Sequence, residues 1–168
     1  MIRPAIIATY IFLVFALTGC GIYSFTGASV CAECKTVSVA YFQNYAPLAS
    51  PSLSQSFTEK LRDVLISQTN LTLVGKNGDL HFEGSITDYN TKPVSIQGNE
   101  TAALNRLTIT VRVKFTNTKQ PDDDFEQTFS RFIDYESSKD FSQIEGDLIE
   151  NVNSQLTQDI FNKALSNW

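Results

Sequence analysis

The sequence predicts an α+β fold, a two-layer sandwich in which a four-stranded, mainly antiparallel sheet carries two helices packed on one face. Three observations predict it. The elements run strand, helix, three strands, helix. The strand segments are half polar, the mark of a sheet with only one covered face, since strands buried on both sides read as continuous apolar runs. Both helical segments are amphipathic, so each buries one stripe, and the apolar face of the sheet is the economical place for both.

The first strand is signalled by Val37, Val39 and Tyr41 alternating with Thr36, Ser38 and Ala40. Gln43–Ser50 reads as a loop, and Ser50-Pro51 sets a helix start with Ser52 and Gln55 spaced as a capping box. Leu53, Phe57, Leu61, Val64 and Leu65 then recur at helical spacing to about Gln68. A short extended piece, Leu71–Val74, leads into the turn Gly75–Gly78, which lacks the spacing of a phosphate loop. Leu80, Phe82 and Ile86 alternate with His81, Glu83, Ser85 and Thr87. The cleanest period-two stretch has Leu107, Ile109, Val111, Val113 and Phe115 against Thr108, Thr110, Arg112, Lys114 and Thr116. In Phe125–Tyr135 the alternation is blurred, because Arg131 shares parity with Phe129 and Ile133, and a bulge or a two-sided strand is expected. A long final helix opens at Ser142-x-x-Glu145, a second capping box, with Ile144, Leu148, Val152, Leu156, Ile160 and Ala164 along one face.

The N-terminus carries a different signal. Arg3 precedes the apolar run Ala5–Leu17, well short of the ~20 residues a membrane-spanning helix needs and suited to a secretory signal. The run ends in Leu17-Thr18-Gly19-Cys20, the pattern of a lipobox, so residues 1–19 are expected to be a cleaved lipoprotein signal peptide and Cys20 the lipid-modified residue. Residues 20–35 form a lipid-anchored linker, rich in Gly, Ser and Ala, and 36–168 a single α+β domain. The formal charge is −5, and removal of Arg3 makes the exported chain more acidic, which argues against nucleic acid as a partner.

Two further cysteines, Cys31 and Cys34, stand in Cys31-Ala-Glu-Cys34. An exported chain meets an oxidising compartment, so a local disulfide is expected; closing so small a loop contributes about 2 kcal/mol in the chain-entropy model. A thiol–disulfide exchange site is the alternative, but such sites place the first Cys at a helix N-terminus, and a strand pattern follows here. With one histidine in the chain, these residues fall short of a zinc set. No nucleophile, base and oxyanion donors stand at a readable spacing, so neither an enzyme, a metal nor a cofactor is expected beyond the covalent lipid on Cys20. The polar sheet face is left open. Arg112 and Lys114 project from it two residues apart and, with Arg106 on the same segment, form the candidate contact set for an anionic lipid or a partner.

Several segments together resemble the LptE family of lipopolysaccharide-assembly lipoproteins. They are Cys20 followed by Gly21-Ile-Tyr-Ser-Phe-Thr-Gly27, the segment Ile96–Val111, Phe125–Arg131 and the terminal Asp159–Trp168. The resemblance implies a two-layer α+β domain seated at or inside an LptD-like outer-membrane β-barrel, supporting barrel assembly and delivery of lipopolysaccharide to the outer leaflet. It also implies a chain anchored by lipid in the outer membrane; Gly21-Ile-Tyr-Ser has no acidic run, which favours the periplasmic face. The family has no catalytic motif, so no active-site residue is carried over. The Cys31–Cys34 pair departs from the cysteine-free linker expected of it. An accessory lipoprotein of another envelope machine, and a periplasmic thiol-redox protein, are the other two classes open to the sequence.

Overall fold

The computed structural model describes residues 30–94 and 103–165. The lipobox and Cys20, and most of the loop between the third and fourth long segments, lie outside them. The chain runs β1 (Thr36–Val39), β2 (Gln43–Asn44), α1 (Leu53–Gln68), β3 (Thr72–Leu73), β4 (Leu80–Val94), β5 (Leu104–Asn117), β6 (Phe125–Glu136) and α2 (Phe141–Leu165), with a 3-10 turn at Pro121–Asp123. One mixed sheet has the order β3-β1-β4-β5-β6, and β2 pairs with β4.

The α+β class and the two helices are as expected, while the sheet has six strands rather than four. The two extra strands, β2 and β3, are two residues long and too short to show a period. They and β1 pair in parallel, β1 with both β3 and β4, and β2 with β4. The long β4–β5–β6 pairings are antiparallel and make up most of the sheet.

Both helices bury their stripes against the same sheet face, in one continuous core. From the sheet come Leu80, Phe82, Ile86, Leu107, Ile109, Val111, Val113 and Phe115; from α1, Leu53, Phe57, Leu61 and Leu65; from α2, Leu148, Val152, Leu156 and Ile160. Each such side chain contributes roughly 1.5–3 kcal/mol by leaving water. Phe42 and Phe57 meet edge to face at 5.0 Å, and Phe82, Phe115 and Phe125 continue as a row under one end of the sheet. The helices also meet each other through polar groups: Asn153 donates to Ser56 Oγ at 2.9 Å and Gln68 to Gln158 at 2.8 Å.

Local details differ from the sequence reading, each for a physical reason. Tyr41 does not continue the β1 alternation. β1 ends at Val39, Phe42 takes the core position with its N–H on Thr58 Oγ1, and Tyr41 is half exposed. β4 runs past Thr87 to Val94, and a bulge between Ile86 and Asp88 reverses the parity, so Tyr89 turns into the core. β6, where a bulge or two-sidedness was expected, keeps an unbroken register with β5. Arg131 does point to the helix side, and Asp159 of α2 receives it in a two-pronged ion pair, the longer prong 2.8 Å. Neither capping box forms. Ser52 makes no side-chain cap bond. At α2 the cap is Asp140, whose Oδ1 accepts from the Ser142 N–H at 3.0 Å, leaving Glu145 free to accept from the Tyr89 hydroxyl.

The passage from β3 to β4 crosses the outer face of β1. Gly78 donates its N–H to Ser38 Oγ at 3.0 Å, and a Cβ at Gly78 would come within 2.6 Å of the Ser38 backbone N, so only glycine fits. This crossing buries Ser38 completely. Asp79 locks it: one carboxylate oxygen accepts from the N–H groups of Lys35 and Thr36 and from Thr36 Oγ1, at 2.8–3.0 Å. No described helix is long and apolar enough to cross a membrane.

Candidate functional site

The sheet face away from the helices is the polar surface expected from strand parity, and the register states how its residues meet. Glu83, Lys114 and Glu126 lie in one row across β4, β5 and β6; Ser85, Arg112 and Thr128 lie in the next. Asp88, Thr110 and Ser130 follow, then Asn90, Thr108 and Phe132, then Lys92, Arg106 and Asp134. Arg112 and Lys114 point the same way because they are two apart on one strand. Beside them Gln43 of β2 and the largely exposed Tyr45 just after it stand at the rim of a shallow hollow of about 420 Å³, floored by Ser85, Arg112, Lys114 and the two glutamates.

The three basic residues of the candidate contact set all lie on this face, and each is held by a carboxylate on a neighbouring strand. Lys114 Nζ is 2.7 Å from Glu83 Oε1, and Arg112 Nε is 2.7 Å from Glu126 Oε1. Arg106 grips Asp134 with two nitrogens, at 2.7 and 2.8 Å, and its guanidinium lies 3.6 Å over the Phe132 ring. The hydrogen bond and the charge of Lys114 hold the Glu83 carboxyl below its ordinary range, and Glu83 reciprocally raises Lys114. Arg106 lowers Asp134 in the same way, through its hydrogen bonds first. Strand parity on β5 alone shows two unpaired cations; the partners come from β4 and β6, at sequence distances no periodicity reports.

All of these pairs are solvent-accessible, so each contributes little to folding. They are also exchangeable. A phosphate or a foreign carboxylate can take over a guanidinium or ammonium at small cost, and Arg offers it a two-pronged donor geometry. The face can therefore hold an anion, but only by displacing its own carboxylates.

His81 sits on the same face, with Nδ1 2.8 Å from Ser38 Oγ and Nε2 4.0 Å from Glu83. It joins β4 to the buried serine under the crossing loop. Among the described residues no group of three His, Cys, Asp or Glu is placed to hold a metal ion.

Cys31 and Cys34 are joined in a disulfide with Cα atoms 5.3 Å apart. The bridge closes a tight turn, Cys34 N–H to Cys31 C=O at 2.9 Å, and Cys34 is buried in the core. Its sulfur lies 3.6 Å from Asn117 Oδ1, the same oxygen that accepts from Lys119 and Gln120 N–H. The end of the linker is thus fastened to the β5–β6 turn. Cys20 lies outside the described residues.

Among solved structures the chain is similar to a protein from Helicobacter pylori described as a neuraminyllactose-binding hemagglutinin homolog, at TM-score 0.50 and 8% identity over 81% of this chain and 86% of that one. It also aligns with a hypothetical protein from Chlamydia trachomatis (TM-score 0.49, 10% identity, 78% and 98% covered). A minor lipoprotein from Acinetobacter baumannii aligns at TM-score 0.48 and 15% identity, with 79% and 96% covered. At these identities the likeness concerns the fold alone. No curated protein matches the sequence. A family model does: LptE, described as lipopolysaccharide-assembly, matches residues 34–164, from the buried Cys34 through nearly all of α2. The match takes in all six strands and both helices, and the chain belongs to the LptE family of lipopolysaccharide-assembly proteins.

Proposed function

We propose that this chain is an outer-membrane lipoprotein, exported with residues 1–19 as its signal, anchored through acylated Cys20, and seated against an LptD-like β-barrel that it helps to assemble and to load with lipopolysaccharide. The family match over the whole folded domain carries this reading. The open face is compatible with the work in two ways. Its rows of exchangeable ion pairs suit a barrel wall with alternating charges, and Arg112 and Lys114 suit phosphates of a lipid head group once Glu126 and Glu83 release them. The role is structural and needs no catalytic group.

The test is recovery of the native complex. The full chain, extracted from its own envelope in mild detergent, is expected to bring down one outer-membrane β-barrel protein together with lipopolysaccharide. Recovery of a different envelope machine, or of the chain alone, overturns the reading. Replacing Arg112 and Lys114 by Gln, which removes charge without setting new acids against Glu83 and Glu126, should leave melting nearly unchanged and lower lipopolysaccharide binding, more at low salt than at high. Unchanged lipopolysaccharide binding at low salt moves the lipid contact off this face.

A further inference from the structure

The segment around β2 carries an aromatic rim that core packing alone does not explain. Phe42 and Ala46 are buried, while Tyr41, Gln43 and Tyr45 alternate with them and are exposed. Backbone bonds hold this rim in place: Tyr45 N–H donates to Ile86 C=O at 2.9 Å, and Ala46 N–H to Asn44 Oδ1 at 2.9 Å. Tyr45 itself nevertheless packs little, being 72% exposed. A single exposed aromatic is ordinary. Its position is not, because it borders the hollow of about 420 Å³ on the open face. That volume falls within the roughly 300–1,000 Å³ of small-ligand sites.

The charges of the hollow select its occupant. Arg112 is paired with Glu126 and Lys114 with Glu83, so two bases and two acids cancel. An anion enters only by breaking a pair, and it then faces the released carboxylate. An apolar ligand would strip water from four charged groups and return no hydrogen bond. A neutral polyhydroxyl ligand meets neither cost, because it can use both pairs as they stand. An arginine carries five N–H donors and a lysine three, more than one carboxylate oxygen takes up. On the acceptor side, Glu83 Oε2 stands 4.0 Å from His81 Nε2, beyond hydrogen-bond range. Gln43 and Ser85, each donor and acceptor at once, line the same hollow.

A sugar ring has the complementary form: a rim of hydroxyls, each able to donate and accept, around a C–H face that lies flat on an aromatic ring. We infer that the hollow is a saccharide site that takes one neutral pyranose, with its C–H face on Tyr45 and its hydroxyls on Gln43, Ser85 and the two intact ion pairs. In an envelope such a ring has two sources, the core oligosaccharide of lipopolysaccharide and the peptidoglycan strand. That setting rests on the proposed function above; the chemistry of the hollow does not.

Saturation-transfer NMR on the full-length chain, held in a detergent without a sugar head group, tests it. The probes are core oligosaccharide from lipopolysaccharide (dephosphorylated and carboxyl-reduced), chitotetraose as a peptidoglycan-type backbone, and inorganic phosphate. At least one of the two sugars is expected to bind, equally at low and high salt because it is uncharged. Which one binds names the source, and binding of both names the shared ring. Tyr45→Ala should melt as wild type and weaken that binding about tenfold, while Tyr45→Phe should retain it. Leu48→Ala trims another exposed side chain, outside the hollow, and should change nothing. Binding of neither sugar, or equal binding by wild type and Tyr45→Ala, overturns the inference. Phosphate that displaces the bound sugar overturns it in favour of an anion site. Barrel recovery is read separately: its loss removes the proposed function and leaves a sugar-binding result standing.

Discussion

Asp79 shows how much one side chain can settle. It follows the turn Gly75–Gly78 and carries no sequence mark of importance, yet it ties the end of the linker to the start of β4. Hydrogen bonds from the Lys35 N–H, then from the Thr36 side chain and N–H, lower its pKa from 3.8 to about 2. A depressed carboxyl stabilises the fold fully above its unfolded value, and that contribution is lost as pH falls from near 4 toward 2. Asp79→Asn should therefore melt lower than wild type at neutral pH, with the gap closing in the acid range, as followed by circular dichroism. A gap independent of pH would separate the hydrogen bonds from the charge. Arg112 and Lys114 teach the complementary lesson. Parity placed them on the open face from sequence alone, because period two depends only on neighbours in the chain. Their carboxylate partners lay 31 residues away in one case and on the next strand in the other, and only pairing brought them together.

At the scale of elements, long periodic segments were legible and short or interrupted ones were not. β5 and both helices follow their apolar pattern because many residues repeat the same demand. β2 and β3 have two residues each and take their form from β4 and β1, to which they bond. The bulge at Thr87 inverts the second half of β4, so a pattern that looked finished continued on the other parity. Both capping boxes had the right spacing; at α1 Ser52 makes no cap bond, and at α2 the box lost to Asp140 and to the Tyr89 hydroxyl on Glu145. Gly84 gives a test at this scale. It lies where β4 approaches the Arg112 carbonyl, and a Cβ there would sit 2.7 Å from the Phe42 ring. Gly84→Ala must push the strands or the ring aside and should cost about 1–3 kcal/mol in chemical denaturation. A neutral result would mean that the β4–β5 pair can part locally without loss.

For the whole molecule, the anchor and the domain are separate physical statements. On the proposed anchoring, Cys20→Ala would remove acyl chains worth about 0.8 kcal/mol per buried CH₂. The variant should leave the membrane fraction, or persist uncleaved, while a separately prepared domain melts as before. An unmodified mature N-terminus in wild type, read by mass spectrometry, would overturn the anchoring. The Cys31–Cys34 bridge stands at the start of the folded domain, since Cys34 is in the core and Lys35 is already bound to Asp79. The sequence by itself determined the α+β class, the long elements, the apolar and polar faces of the sheet and the family resemblance, because each is written in local periodicity or in contiguous motifs. Only the tertiary structure decided the six-strand order, the crossing over Ser38 and the pairing of every candidate cation. These depend on which distant segments become neighbours, and that is set by the packing of the core as a whole rather than by any one stretch of chain.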